Sequence, residues 1–135
     1  MSGETTFILI DDNDWELFLH KELILLSNSD CKIQTFLNGF EALAYIKNDM
    51  NPHNRNVILS DIHMPLMSGY EILEEIKKLP SYIKNRIEFY FLSATLDREE
   101  LKKAISMEGI EGYFHKPLSI ELISEKLIPE LQYAV

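Results

Sequence analysis

Five polar side chains stand where apolar runs of the chain stop. Asp11 and Asp12 follow FILI, Asp61 follows VILS, Ser93 lies within FLSAT, and Lys116 precedes Pro117. If these runs end at one rim, three carboxylates, a hydroxyl and an ammonium converge there. Carboxylates packed together repel, and at neutral pH a bound divalent cation is the least costly remedy. Oxygen ligands, few in number and in an open site, suit Mg2+ with several of its waters retained. A carboxylate so placed can attack a phosphoryl group and form an aspartyl-phosphate. Lys116 would then screen the transferring oxygens, and Ser93 would donate a hydrogen bond to one of them. On this reading Asp61 is a phosphate acceptor. Each residue also has a plainer reading. Asp11 and Asp12 suit the positive end of a helix, Ser93 a strand-end turn, Lys116 a solvated charge and Tyr113 an ordinary strand position.

The apolar runs at 7–10, 32–36, 57–60, 87–92 and 112–114 read as strands that would position these residues. Helical patterns lie between them. Asn13/Glu16, Asn38/Glu41, Ser68/Glu71 and Asp97/Glu100 each set a capping side chain three residues before a Glu. That is capping-box spacing, in which both side chains satisfy unpaired backbone N–H groups. Pro80 should end the third helix and Gly109 the fourth, over 98–107. The last helix, 120–128, starts near Ser119, and Pro129 should end or kink it. Strands alternating with helices predict an α/β fold, a five-stranded parallel sheet with helices on both faces. In such sheets ligands gather beyond the carboxyl ends of the strands. The five polar residues stand at those ends.

The remaining composition narrows the partners. A chain of 135 residues fits a single domain. Its formal net charge of −9 opposes binding to nucleic acid phosphates and favours cations and basic protein surfaces. No apolar run approaches the ~20 residues of a membrane span, and MSGETTFILI lacks the basic start of a secretory signal. The single cysteine, Cys31, cannot form an internal disulfide, which fits the reducing cytoplasm; it reads as a small buried hydrophobe. His20, His53 and His115 share no metal-ligand spacing and read as structural or solvated. In the first helix, Trp15, Phe18, Leu19, Leu23, Leu25 and Leu26 form one broad apolar face at ~100° per residue. Leu17 and Ile24 fall nearly opposite, beside His20 and Lys21, and are expected on the surface, either as scattered apolar residues or as a docking patch for a partner helix.

Taken together, Asp11-Asp12, Asp61 in SDIHMPLMSG, Ser93-Ala94 and Lys116-Pro117, in that order, resemble the receiver domain of bacterial two-component response regulators. The likeness covers residues 7–128 and is of the chemotaxis-regulator type. It implies a flavodoxin-like (βα)5 fold. With about nine residues after Lys126, the chain is expected to be a single receiver domain, 1–135, with no output domain, or a segment of a larger protein. The likeness also implies phosphotransfer to Asp61 from a phosphohistidine on a sensor histidine kinase or histidine phosphotransfer protein. Mg2+ would be held by Asp12, Asp61 and the backbone carbonyl of His63, with Asp11 acting through water. Ser93 and Tyr113 match the family's switch pair, and Lys116-Pro117 its cis peptide bond. Phosphorylation would change the surface of the fourth helix, fifth strand and fifth helix, and so the binding of a downstream protein, by a monomer or a phosphorylation-dependent homodimer. The chain would then be a phosphoacceptor that assists its own phosphorylation and dephosphorylation, and not an enzyme acting on a separate substrate. Leu66 and Ser68 depart mildly from the family pattern. His63 and Thr95 occupy variable positions that tune phosphoryl lifetime in the family. Two other readings remain. A phosphohydrolase of the haloacid dehalogenase group would carry Asp-x-Asp-x-Thr/Val where this chain reads Asp11-Asp12-Asn13-Asp14-Trp15. A degenerate receiver that only binds partners is at odds with the intact set of motifs.

Overall fold

An apolar run without alternation cannot leave either face in water, and the two most apolar runs lie at the centre of the sheet. Phe7, Ile8, Leu9 and Ile10, like Val57, Ile58 and Leu59, are all buried. The computed structural model describes residues 4–28 and 30–128. Its strands are β1 (Thr5–Ile10), β2 (Lys32–Phe36), β3 (Arg55–Ser60), β4 (Ile87–Ser93) and β5 (Gly112–His115), all parallel, in the order β2-β1-β3-β4-β5. The helices are α1 (Asp14–Ser27), α2 (Gly39–Asn48), α3 (Gly69–Lys77), α4 (Ser81–Lys84), α5 (Arg98–Ile105) and α6 (Ile120–Leu122), the last running into a π-helical turn (Ile123–Leu127).

Successive side chains of a strand point to opposite faces, so each central strand feeds two cores. Ile8, Ile10 and Ile58 pack with Leu43, Ile46, Ile72 and Leu73 under α2 and α3. Phe7, Leu9, Val57 and Leu59 pack with Leu17, Ile24, Ile123 and Leu127 under α1 and the C-terminal helical segment. Strands β1 and β3 begin earlier than their apolar runs, because their ladder continues through the pairs Thr5–Arg55 and Thr6–Asn56; Thr6, Asn54 and Asn56 are buried there as well. Their polar groups are partly met locally: Asn54 Nδ2 donates to Thr6 Oγ1, and Asn56 Nδ2 to the carbonyls of Asn51 and Asn54.

Four expectations need correction. Among the described residues six helices are present where five were expected, because Pro80 both follows α3 and serves as the N-cap of the short α4. The helix after β4 stops at Ile105 and not 107; Gly109, at φ +100, turns the chain only later. The last helix is α-helical over Ile120–Leu122 only, and Pro129 lies outside the described residues. The orientation of α1 is the reverse of that expected. Leu17, His20 and Ile24 are its buried residues, whereas Trp15 and Phe18 are exposed and stack on each other at 5.6 Å. Apolar residues nearly encircle this helix, so their pattern gives it little direction. Leu17 and Ile24, seven residues apart, face the sheet and form no surface patch.

Candidate functional site

The strand ends are locked in register by backbone bonds just beyond the sheet. The Asp11 N–H donates to the Phe36 carbonyl at 3.1 Å, the Asp61 N–H to Ile10 at 2.9 Å, and the Lys116 N–H to Ser93 at 2.9 Å. Strand order reverses between β1 and β3, which opens the crevice in which α/β folds bind ligands. Asp11, Asp12 and Asp61 flank it, with one oxygen of each within 4.8 Å of the others. Asp11 is buried, Asp61 half-buried and Asp12 exposed.

Lys116 enters this group from the end of β5. Its Nζ lies 2.7 Å from Asp11 Oδ2, 2.5 Å from Glu16 Oε2 and 3.6 Å from Asp61 Oδ2. The Lys116–Pro117 bond is cis. Asp61 Oδ1 accepts from the Ile62 N–H at 2.9 Å, while Oδ2 is the oxygen nearest the ammonium. Burial, first, and a hydrogen bond with Glu16 push the Asp11 carboxyl up to about 7, against the pull of Lys116 and the Asn13 N–H. Burial also raises Asp61, with Lys116 opposing and Asp12 and Glu16 reinforcing. For Glu16 burial is outweighed by hydrogen bonds with Asp11 and Lys116, and its pKa falls. Burial of the Lys116 ammonium is likewise outweighed by Asp11, Glu16 and Asp61, and its pKa rises. Burial, first, and the nearby Lys116 lower the His20 pKa and favour its neutral form; its Nε2 has no hydrogen-bond partner among the described residues.

The loop after β3 is tightly constrained. The Gly69 N–H donates to the Ile62 carbonyl at 2.7 Å, and a Cβ on Gly69 would collide with the Asp61 carbonyl oxygen. Leu66 sits at φ 73, a left-handed conformation unusual for a branched side chain. The His63 imidazole pairs through Nε2 with Glu100 Oε1 at 2.5 Å. Tyr70 donates its hydroxyl to the same oxygen at 3.3 Å, and Lys103 lies over the Tyr70 ring. On the β4 side, Ser93 is buried and its Oγ accepts from the Thr95 N–H at 3.2 Å. The half-buried Tyr113 directs its hydroxyl to the Ser93 carbonyl at 3.5 Å. His53 and His115 are exposed and stand apart from the acidic group.

Two contributors were not recognised in the sequence, Glu16 and Glu100. Both occupy capping-box positions, yet neither side chain returns to its N-cap. Asn13 caps the Glu16 N–H and Asp97 the Glu99 N–H, while the two carboxylates turn to Lys116 and His63. The available signal was their place in the first turn of helices that follow β1 and β4.

A parallel sheet in this order, with acids after β1 and β3 and a lysine after β5, defines a flavodoxin-like receiver of the chemotaxis-regulator type. The chain belongs to the response regulator receiver domain family, whose model matches residues 7–128. It is 28% identical to a response regulator receiver protein from Dyadobacter fermentans DSM 18053, with a TM-score of 0.82 over 94% of this chain and 98% of that one. It is 29% identical over 139 aligned positions to the two-component response regulator ARR15 of Arabidopsis thaliana, covering 96% of this chain and 63% of the relative. With the probable transcriptional regulator ycf29 of Porphyra purpurea it shares 38% over 98 residues, 72% of this chain and 43% of the relative. The chain thus spans 43% and 63% of the length of these two curated relatives. Among the described residues no helix is long and apolar enough to cross a membrane.

Proposed function

We propose that Asp61 accepts a phosphoryl group from a phosphohistidine on a sensor histidine kinase or histidine phosphotransfer protein in the cytoplasm, and that Mg2+ assists. The observation that carries this reading is the division of labour on Asp61: Oδ1 is held by the Ile62 N–H, and Oδ2 faces the Lys116 ammonium at 3.6 Å. An Asp61 oxygen attacks phosphorus, the P–N bond to the imidazole breaks, and the electron pair leaves with the nitrogen. Lys116 and the Ser93 hydroxyl donate to the phosphoryl oxygens.

The donor set fits Mg2+. Three carboxylate oxygens lie within reach of one another, all hard ligands, one of them exposed. Asp12, Asp61 and the His63 carbonyl would hold the ion and Asp11 would act through water. Bound there, Mg2+ neutralises the carboxylates and screens charge on the transferring group.

The signal leaves through Ser93. A new hydrogen bond from its hydroxyl to an ionised acceptor is worth about 1.5–3 kcal/mol, which is enough to shift a two-state population about ten-fold or more. Moving Ser93 disturbs the backbone carbonyl that Tyr113 contacts, and Tyr113 turns inward. The surface so altered is α5, β5 and the α6 segment, where a downstream protein would bind. Mass spectrometry after incubation with acetyl phosphate and Mg2+ tests the assignment. Wild type gains one acid-labile phosphoryl group, Asp61→Asn gains none, and Asp12→Ala loses Mg2+ binding together with labelling. An acid-stable label on Ser93, or wild-type labelling of Asp12→Ala, would refute it.

A further inference from the structure

A lysine ammonium has three N–H donors, each directed at one acceptor. In this protein the short contacts of Lys116 are with Asp11 Oδ2 at 2.7 Å and Glu16 Oε2 at 2.5 Å. Asp61 Oδ2, at 3.6 Å, is beyond hydrogen-bonding distance. The ammonium is therefore engaged on the α1 side of the crevice, away from the residue it is expected to serve. Glu16 comes from the first turn of α1, where its backbone is already secured by Asn13, so its carboxylate has been diverted from the cap to the lysine.

We propose that Glu16 is a positioning residue that restrains Lys116 in the unloaded protein, so that a phosphoryl group arriving on Asp61 must take the ammonium from Glu16. The proposal rests on Asp61 being the acceptor. Burial decides which of the two partners releases the lysine. The Asp11 side chain is 6% exposed and that of Glu16 is 32% exposed. A carboxylate that can turn into water loses little when its partner leaves, whereas a buried one is left uncompensated. Asp11 is thus the fixed anchor and Glu16 the exchangeable one. The exchange swaps one anionic acceptor for another, so removing the Glu16 charge shifts it toward the phosphoryl group.

Two substitutions separate contact from field. Glu16→Gln keeps the shape and removes the charge; Glu16→Asp keeps the charge and shortens the reach by one methylene. At saturating Mg2+ both should bind beryllofluoride more tightly and take phosphate from acetyl phosphate faster than wild type, on the order of ten-fold for Glu16→Gln. In the metal-free protein the Lys116 ammonium 1H–15N resonance should exchange with water faster in both variants, a readout independent of phosphorylation. Wild-type rates in both variants, or acceleration in Glu16→Gln with Glu16→Asp unchanged, overturn the restraint by contact. If wild type itself binds no beryllofluoride and takes no label at Asp61, the acceptor assignment falls and the Glu16 proposal with it. A normal wild type with unaffected variants overturns Glu16 alone.

Discussion

Replacing Asp11 by Asn should flatten the pH dependence of stability in the metal-free protein. The Asp11 carboxyl is raised from 3.8 to about 7, first by burial and then by its hydrogen bond with Glu16. A carboxyl with a folded pKa above its unfolded value contributes its full stability below about pH 3.8. That contribution is lost as pH rises through about 7, because the unfolded chain ionises freely and the folded chain does so only at a cost. Asp61 is raised as well and adds the same sign. Glu16 is lowered and has the opposite sign, but its stabilisation is lost only as pH falls below its unfolded value of 4.5, outside the window of interest. The whole Asp11 shift corresponds to on the order of 4 kcal/mol, of which somewhat over half falls between about pH 5 and 8. Urea unfolding followed by circular dichroism, in EDTA, at steps across this window measures it. Wild type should weaken by less than that amount, because His20, lowered by burial, gains stability as pH rises toward 6.5, and Asp11→Asn should weaken much less still, since Asn can accept the Asn13 N–H. Adding Mg2+ at the upper end should restore about 1.4 kcal/mol at ten times its Kd. Equal slopes in the two proteins, or a wild type that gains stability with rising pH, would refute the electrostatic account of the site.

Ile24→Ala should cost about 2–4 kcal/mol in the same unfolding assay, since Ile24 is fully buried against the sheet, while the exposed Leu26→Ala should stay within about 0.5 kcal/mol. Equal costs would contradict the orientation of α1. Leu66→Gly should gain up to about 1 kcal/mol by relieving the left-handed backbone at φ 73, and a loss would show that the Leu66 side chain contributes packing despite its exposure. Ser93→Ala should still accept phosphate at Asp61 but transmit it poorly. Comparing amide chemical shifts with and without beryllofluoride checks this, and equal perturbation across residues 98–113 in both proteins would exclude Ser93 as the coupling group.

The features legible in the sequence were those in which one residue type serves one purpose. Strand ends followed from apolar runs stopping at Asp11, Asp61, Ser93 and Lys116, and the parallel sheet from the spacing between those runs. The α1 face was not legible, because Leu and Ile on both sides of the helix give no preferred direction and only packing against β1 and β3 chooses between them. Glu16 and Glu100 were misread for a different reason. Their spacing from Asn13 and Asp97 is that of a capping box, and Ser68 with Glu71 does form one. Nothing local distinguishes a glutamate that closes a cap from one that reaches a residue 100 positions away, as Glu16 does, or 37, as Glu100 does. Lys116 and His63 are brought to them only by the assembled sheet.

Gly69 has a consequence for genetic mapping of this protein. Its missing Cβ leaves room for the Asp61 carbonyl oxygen, and the Ile62 Cα lies at 3.1 Å from where that carbon would be. In a saturation mutagenesis scan scored by signalling output, every substitution at position 69 should register as a loss, in the same tier as substitutions of Asp61. Such a map would assign function to a residue with no functional group. The deficit would belong to the displaced peptide plane of Asp61, and only a scan scored in parallel for folded abundance would tell a displaced Asp61 apart from an unfolded chain.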